Sequence, residues 1–186
     1  MNNLGIYNLK KEIHQINRFK FNLILSLSYS IICFLFITFF LTVFSFSYVT
    51  SSSMEDTLNK KDLLFCNKLS YILKNEPKRF DIINFYCPEN NEIFVKRIIG
   101  LPNDKIDIKD GIVYINSEKI EENYILPDNY NTKETIVVPS NEYFVLGDNR
   151  ANSFDSRYWE YKFVKKENIL NKVILSFSKD RFKFLI

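Results

Sequence analysis

Histidine occurs once in the 186 residues, at His14. That scarcity excludes Ser-His-Asp and Cys-His nucleophile systems from the body of the chain, and zinc sites built on several histidines with them. Three cysteines, Cys33, Cys66 and Cys87, are too few and too scattered for a zinc cluster or a disulfide-dense scaffold. The four glycines show no Gly-x-Gly-x-x-Gly or Walker spacing, so nucleotide binding has no support. No metal and no cofactor is expected. Alanine also appears once, at Ala151, which excludes an Ala-x-Ala cleavage site. With 46% hydrophobic and 25% charged residues, the chain is too apolar to be disordered.

The charges that are present divide the chain. Residues 21–54 carry none. Within them, the 24 residues from Leu23 to Phe46 include only six Ser or Thr. At about 1.5 Å per residue this run spans a hydrocarbon core of about 30 Å with some tilt. A lone span must be helical, because unsatisfied peptide groups are costly in lipid. Apolar residues occupy every face, which argues against a core helix with one polar stripe. Lys10, Lys11, Arg18 and Lys20 precede the run, against Glu12. The positive-inside rule then predicts a cytoplasmic segment over 1–20, an uncleaved anchor over 21–46 in the cell membrane, and an extracytoplasmic domain over 47–186. The net charge of +3 sits wholly in the first 54 residues, since the rest holds 21 basic and 21 acidic side chains. The lipid bilayer is therefore an expected partner, and nucleic acid is not.

The outer part reads as short strands: Asp62–Asn67, Asp81–Tyr86, Ile93–Ile99, Gly111–Ile115, Thr135–Val138, Tyr143–Leu146 and Val173–Phe177. Turn chemistry separates them at Asp110-Gly111, Asn116-Ser117 and Asp128-Asn129. Alternation from Ile112 to Asn116 closes a hairpin into Lys119-Ile120. One helical turn is expected near Lys165–Leu170. The fold class is mostly β, a folded β-sheet or barrel behind one transmembrane helix.

A hydrolase without histidine needs another base. A lysine serves if burial lowers its pKa by several units from about 10.4. Lys96 fits best, because Phe94 and Ile98 share its face of an apolar strand. Taken alone, such a residue is ordinarily a solvated strand lysine. The nucleophile candidate lies in Ser51-Ser52-Ser53-Met54 just after the span, where a serine cluster is ordinarily a polar boundary. A third cluster, Gly147 to Arg157, packs Gly, Asp, Asn, Arg and Ser into what reads as a hydrogen-bonded loop.

Together these clusters resemble bacterial type I signal peptidase. Ser51-Ser52-Ser53-Met54-Glu55-Asp56-Thr57-Leu58 resembles the family's Ser-x-Ser-Met-x-Pro-Thr-Leu segment. Val95 to Asp104 resembles its Lys-Arg strand followed by Gly-Leu-Pro-Gly-Asp, and residues 147–157 match Gly-Asp-Asn-Arg-x-x-Ser-x-Asp-Ser-Arg in full. The resemblance implies a Ser/Lys endopeptidase that acts on signal peptides of exported preproteins and requires no oligomer. Ser53 would be the nucleophile and Lys96 the general base. The Ser53 N–H and Ser51 hydroxyl would form the oxyanion hole. Ser153 would hydrogen-bond and orient Lys96. Arg97 with Asp148, and Asp155 with Arg157, would brace the loop. Met54, Leu58, Phe94 and Val95 would line pockets for small substrate residues. Residues from about 107 to 143 would form a β-rich cap insertion.

The sequence also departs from the family pattern. Asp56 stands where proline is usual, while Lys61, Phe80 and Asn103 stand where glycine is usual. Ser45–Val49 is expected to be an extended segment that pairs with substrate. Cys66 and Cys87 are expected as free, half-buried thiols, with pairing as the alternative. Two other functions fit the same residues: a related Ser/Lys maturation peptidase with a dedicated substrate, and a non-catalytic membrane-anchored assembly chaperone on the same fold. A self-cleaving repressor is disfavoured, because a membrane span replaces any DNA-binding region.

Overall fold

The computed structural model describes residues 3–72, 75–125, 133–179 and 181–185. It divides into two units, Met1–Thr42 and Val43–Ile186. The first is a helix, α1 (Asn3–Val43). From Lys11 to Val43 it is long and apolar enough to cross a membrane. Four of its hydroxyls, those of Ser28, Ser30, Thr38 and Thr42, donate to carbonyls within the helix, Ser30 to Ser26 at 3.0 Å and Thr38 to Phe34 at 2.8 Å. The helix stops at Val43, three residues short of the anchor boundary expected from hydropathy. Phe44 to Phe46 already belong to a strand.

The second unit is built from β1 (Phe44–Tyr48), β2 (Leu63–Asn67), β3 (Ile82–Tyr86), β4 (Ile93–Gly100), β5 (Lys105–Lys109), β6 (Ile112–Ile115), β7 (Glu118–Lys119), β8 (Glu134–Val137), β9 (Glu142–Leu146), β10 (Val164–Lys165), β11 (Ile169–Phe177) and β12 (Phe182–Phe184). A large antiparallel sheet runs β1-β2-β11-β3-β4-β9-β10, with β12 on β11. A smaller sheet runs β7-β6-β5-β8. The chain is thus mostly β, as folded sheets rather than a closed barrel among the described pairings. The smaller sheet starts at Lys105 and ends at Val137, and Glu142 and Tyr143 lie in the large sheet. The smaller sheet thus does not reach the far end of the 107–143 range expected for the insertion. The helical turn expected near Lys165 is a short 3-10 turn, Lys166–Asn168, after which β11 begins at once. The Asp128-Asn129 turn lies outside the described residues.

Period-two patterns explain which faces are buried. Ile106, Ile108, Val113 and Ile115 turn inward from β5 and β6 and meet Ile99, Phe144 and Leu146 of the large sheet. Gly100 marks the closest approach there, since a Cβ would lie 2.4 Å from Ile106 Cδ1. A second cluster gathers Ile83, Phe85, Ile98, Val145 and Trp159. A third gathers Val49, Met54, Leu58, Leu64, Cys66, Ile82 and Val173. Cys66 and Cys87 are free, and both are fully rather than half buried.

Candidate active site

The segment after β1 is tied to the start of β2: Val49 N–H donates to the Asp62 carbonyl at 3.0 Å, and Lys61 N–H to that of Val49 at 2.9 Å. Between them the chain makes a tight turn, with Leu58 N–H on the Met54 carbonyl at 2.7 Å. Met54 and Leu58 point down from this turn into the third core cluster and are fully buried. They anchor the segment that carries Ser53 and are not among the residues lining the cleft, contrary to the pocket role expected of them. Ser53 sits on the anchored turn, 4% exposed. Asp56 has φ 74°, a value closed to proline, so this turn follows a path the family's usual residue could not take.

Lys96 comes from β4, where it pairs in register with Ile83. Phe94 and Ile98 flank it on its own face, and it is 3% exposed. Its Nζ lies 2.5 Å from Ser53 Oγ and 5.5 Å from the centre of the Phe94 ring. Among the described residues no carboxylate forms an ion pair with it. Burial therefore dominates and pushes the amine down to about 8 from its ordinary 10.5. Asp155, Cys87 and Asp148 pull the other way, and Arg157 adds to the lowering. A charged ammonium here donates to the hydroxyl. A neutral amine can accept the hydroxyl proton and leave a nucleophilic oxygen.

The loop from Gly147 to Arg157 holds the turn that carries Ser53. Asn149 N–H donates to the Ser53 carbonyl at 3.0 Å, and Asn149 Nδ2 to the Ser52 carbonyl at 3.1 Å. Asn152 Nδ2 donates to Ser52 Oγ at 2.8 Å. The approach is so close that a Cβ on Gly147 would lie 2.5 Å from the Ser53 carbonyl oxygen. The loop is braced by buried pairs. Arg97 Nε and Nη2 fork onto Asp148 at 2.9 and 2.6 Å, and Arg157 Nε and Nη2 onto Asp155 at 2.8 and 2.9 Å. Asp155 also accepts the Gly147 N–H at 3.0 Å.

Two expected contacts take a different form. Ser153 Oγ is buried without a hydrogen-bond partner, so the expected bond to Lys96 is not made. The hydroxyl instead packs against the bare Cα of Gly147, where a Cβ would meet it at 2.2 Å. Ser51 Oγ lies 3.1 Å from Ser53 Oγ and faces that hydroxyl. Phe94 and Val95 do line the open cleft of about 910 Å³ over Ser53 and Lys96. Ser47, in the Ser45–Val49 segment expected to pair with substrate, lies in its walls; Asn84 and Tyr158, also in its walls, and Asn149 had no role in the sequence reading. The available signal for Asn84 was a polar residue inside the otherwise apolar run Ile82-Ile83-Asn84-Phe85. The described residues contain no cluster of three or more His, Cys, Asp or Glu able to hold a metal ion.

A buried amine against a serine hydroxyl, in an open cleft lined by strands, defines a serine-nucleophile type of site. The sequence model of the signal peptidase family, peptidase S26, matches residues 21–178. The chain belongs to that family. It is similar to signal peptidase I of Leptolyngbya laminosa, 41% identical over 139 residues that cover 70% of this chain and 66% of the relative. It is also similar to signal peptidase I of Bacillus caldolyticus, 42% identical over 147 residues covering 72% and 79%. A crystal structure of a signal peptidase I from Enterococcus faecalis is 36% identical, with a TM-score of 0.46, covering 53% of this chain and 97% of its own. The match to a relative from Synechocystis sp., at 40% identity over 136 residues, spans 61% of that protein's length. The chain thus spans less than two thirds of the relatives from Synechocystis sp. and Leptolyngbya laminosa.

Proposed function

We propose that this chain is a membrane-anchored serine endopeptidase that removes signal peptides from exported preproteins. α1 is the single-pass anchor, its N-terminus cytoplasmic by the charge flank of Lys10, Lys11, Arg18 and Lys20. The second unit is the extracytoplasmic catalytic domain. The observation that carries this reading is the 2.5 Å contact between Lys96 Nζ and Ser53 Oγ, made by a buried amine without a carboxylate partner.

The neutral Lys96 amine takes the Ser53 proton as Oγ attacks the carbonyl carbon before the cleavage point. The oxyanion that forms is met by the Ser53 N–H, with the Ser51 hydroxyl turning from the nucleophile to join it. The Lys96 ammonium then protonates the leaving amine, which departs as the new N-terminus of the mature protein. The signal peptide stays as an ester on Ser53. Lys96 next deprotonates a water that cleaves this ester and frees the enzyme. Substrate reaches the dyad as an added strand. β1 stands at the end of the large sheet's strand order, and among the described residues the Ile93–Val95 end of β4 pairs on its β3 side only.

The test is cleavage of a purified preprotein by the full chain in lipid or detergent, beside Ser53→Ala and Lys96→Met. The wild type is expected to release the signal peptide, and both variants to fold and release none. Cleavage by either variant at the wild-type rate overturns the dyad.

A further inference from the structure

The chain leaving β7 has no part in the reaction above, yet it reaches both arms that hold the dyad. Glu122 and Tyr124 lie on it, between the small sheet and the loop that carries Asn149. The Arg150 guanidinium meets both oxygens of the Glu122 carboxylate, with Nη1 donating to Oε2 at 3.2 Å and Nη2 to Oε1. The two side chains are 0% and 5% exposed. Arg150 Nε also donates to the Gly147 carbonyl at 3.0 Å. Two residues away, the Tyr124 ring lies over Arg97, with 3.9 Å from ring centre to Cζ. Its hydroxyl donates back to Glu122 Oε1 at 2.8 Å. Phe80 closes the stack edge-on to Tyr124 at 6.0 Å, and its carbonyl accepts from Arg97 Nη1 at 3.0 Å.

Arg97 follows Lys96 on β4, and Arg150 follows Asn149, which grips the Ser52 and Ser53 carbonyls. Asp148 links the two arms through its fork with Arg97. We propose that Glu122 and Tyr124 form a tongue from the small sheet that positions the dyad, seating the lysine strand and the serine-holding loop on one rigid contact. This role rests on the Ser/Lys reading above and assigns the cap a part in the chemistry it does not touch. Glu122 also balances charge. Arg97, Arg150 and Arg157 stand against Asp148, Asp155 and Glu122 around this loop. Removal of the Glu122 charge leaves an excess positive charge on the lysine side, which disfavours the ammonium.

The experiment compares wild type, Glu122→Gln, Tyr124→Leu and the apolar pair Glu122→Met/Arg150→Met, as full chains on a preprotein substrate. We expect Glu122→Gln and Tyr124→Leu to lower kcat at least tenfold with KM within twofold, and Glu122→Gln to move the acid limb of kcat/KM to lower pH. The apolar pair removes the buried charges together, so its thermal midpoint is expected near wild type while kcat stays low. A purely structural role predicts the opposite: kcat recovers with the midpoint and the limb stays in place. That result, or wild-type kcat in both single variants, overturns the tongue. Should Glu122→Gln fail to fold, Tyr124→Leu and the apolar pair still decide. Ser53→Ala and Lys96→Met in the same assay separate the two claims. Inactive dyad variants beside fully active tongue variants remove only the tongue, and active dyad variants remove both.

Discussion

Two groups of buried cations lie side by side in this protein, and they are treated in opposite ways. In the loop from Gly147 to Arg157 the buried guanidiniums meet carboxylates: Arg150 meets Glu122, Arg157 meets Asp155, and Arg97 from β4 meets Asp148. In the cleft, Lys96 has a hydroxyl and an aromatic ring for company. A guanidinium stays charged in any protein environment, so it must be paired when buried. An amine has the alternative of losing its proton. Paired charge here holds the scaffold, and the amine without an ion-pair partner is the group the proposed chemistry uses.

The comparison breaks most visibly at the dyad. Ser53→Ala and Lys96→Met are expected to lose about 1000-fold or more in kcat/KM, measured by preprotein cleavage. Lys96→Arg is expected to be equally inactive, because a guanidinium cannot accept the proton. If Lys96→Arg retained activity, the contrast between the two cation types would have no functional content.

A smaller effect is expected from the paired side. Asp148→Asn leaves Arg97 without its counter-charge and is expected to cost about 3 kcal/mol of stability by chemical denaturation. It also removes a charge that raises the Lys96 pKa, so the acid limb of kcat/KM should shift to lower pH. An unmoved limb would mean that loop and cleft are electrostatically separate.

Lys96 should show the reverse sign in stability. Its folded pKa of about 8 lies below its ordinary 10.5. Between those values the unfolded chain binds a proton that the folded chain does not, so stability rises with pH across that window. Below pH 8 the buried charge costs the folded state about 3 kcal/mol at most. Lys96→Met is therefore expected to raise the thermal midpoint at pH 7, with the gain fading from pH 8 to 10.5. In the wild type, kcat/KM should rise about tenfold per pH unit toward 8 and then level off.

The smallest expected effect lies just behind the nucleophile turn. Lys61 is exposed with φ 74°, a conformation that strains any side chain bearing a Cβ. Lys61→Gly is expected to stabilise the chain by up to about 1 kcal/mol without altering kcat. Phe80 shares the strain at φ 72°, but its ring packs on Tyr124, so relief there is offset by lost packing.

Local pattern explains what the sequence could reveal. Lys96 stood out because Phe94 and Ile98 share its face. Ser53 and the loop stood out through clustering of residue types. β5 carries a readable alternation in Ile106-Asp107-Ile108 ahead of the Asp110-Gly111 turn. Other features depend on distant packing. Met54 and Leu58 look like pocket residues beside a nucleophile until the turn directs them into the core. The grip of Asn149 on the Ser52 and Ser53 carbonyls joins residues almost a hundred positions apart, and no periodicity encodes it. The Ser153 contact failed for a similar reason, since the closeness of Gly147 decides where that hydroxyl packs.

The most direct test is a titration of Lys96 itself. The full chain, with lysines labelled at the ε-carbon, is followed by NMR from pH 6 to 11 in lipid-mimetic micelles, and the Lys96 signal is assigned by its loss in Lys96→Met. One resonance titrating near 8, well below the ordinary 10.5 of a lysine amine, is the expected result. A Lys96 midpoint at or above 10 would contradict the account, because the amine would then hold its proton throughout the range in which the chemistry requires it to be absent.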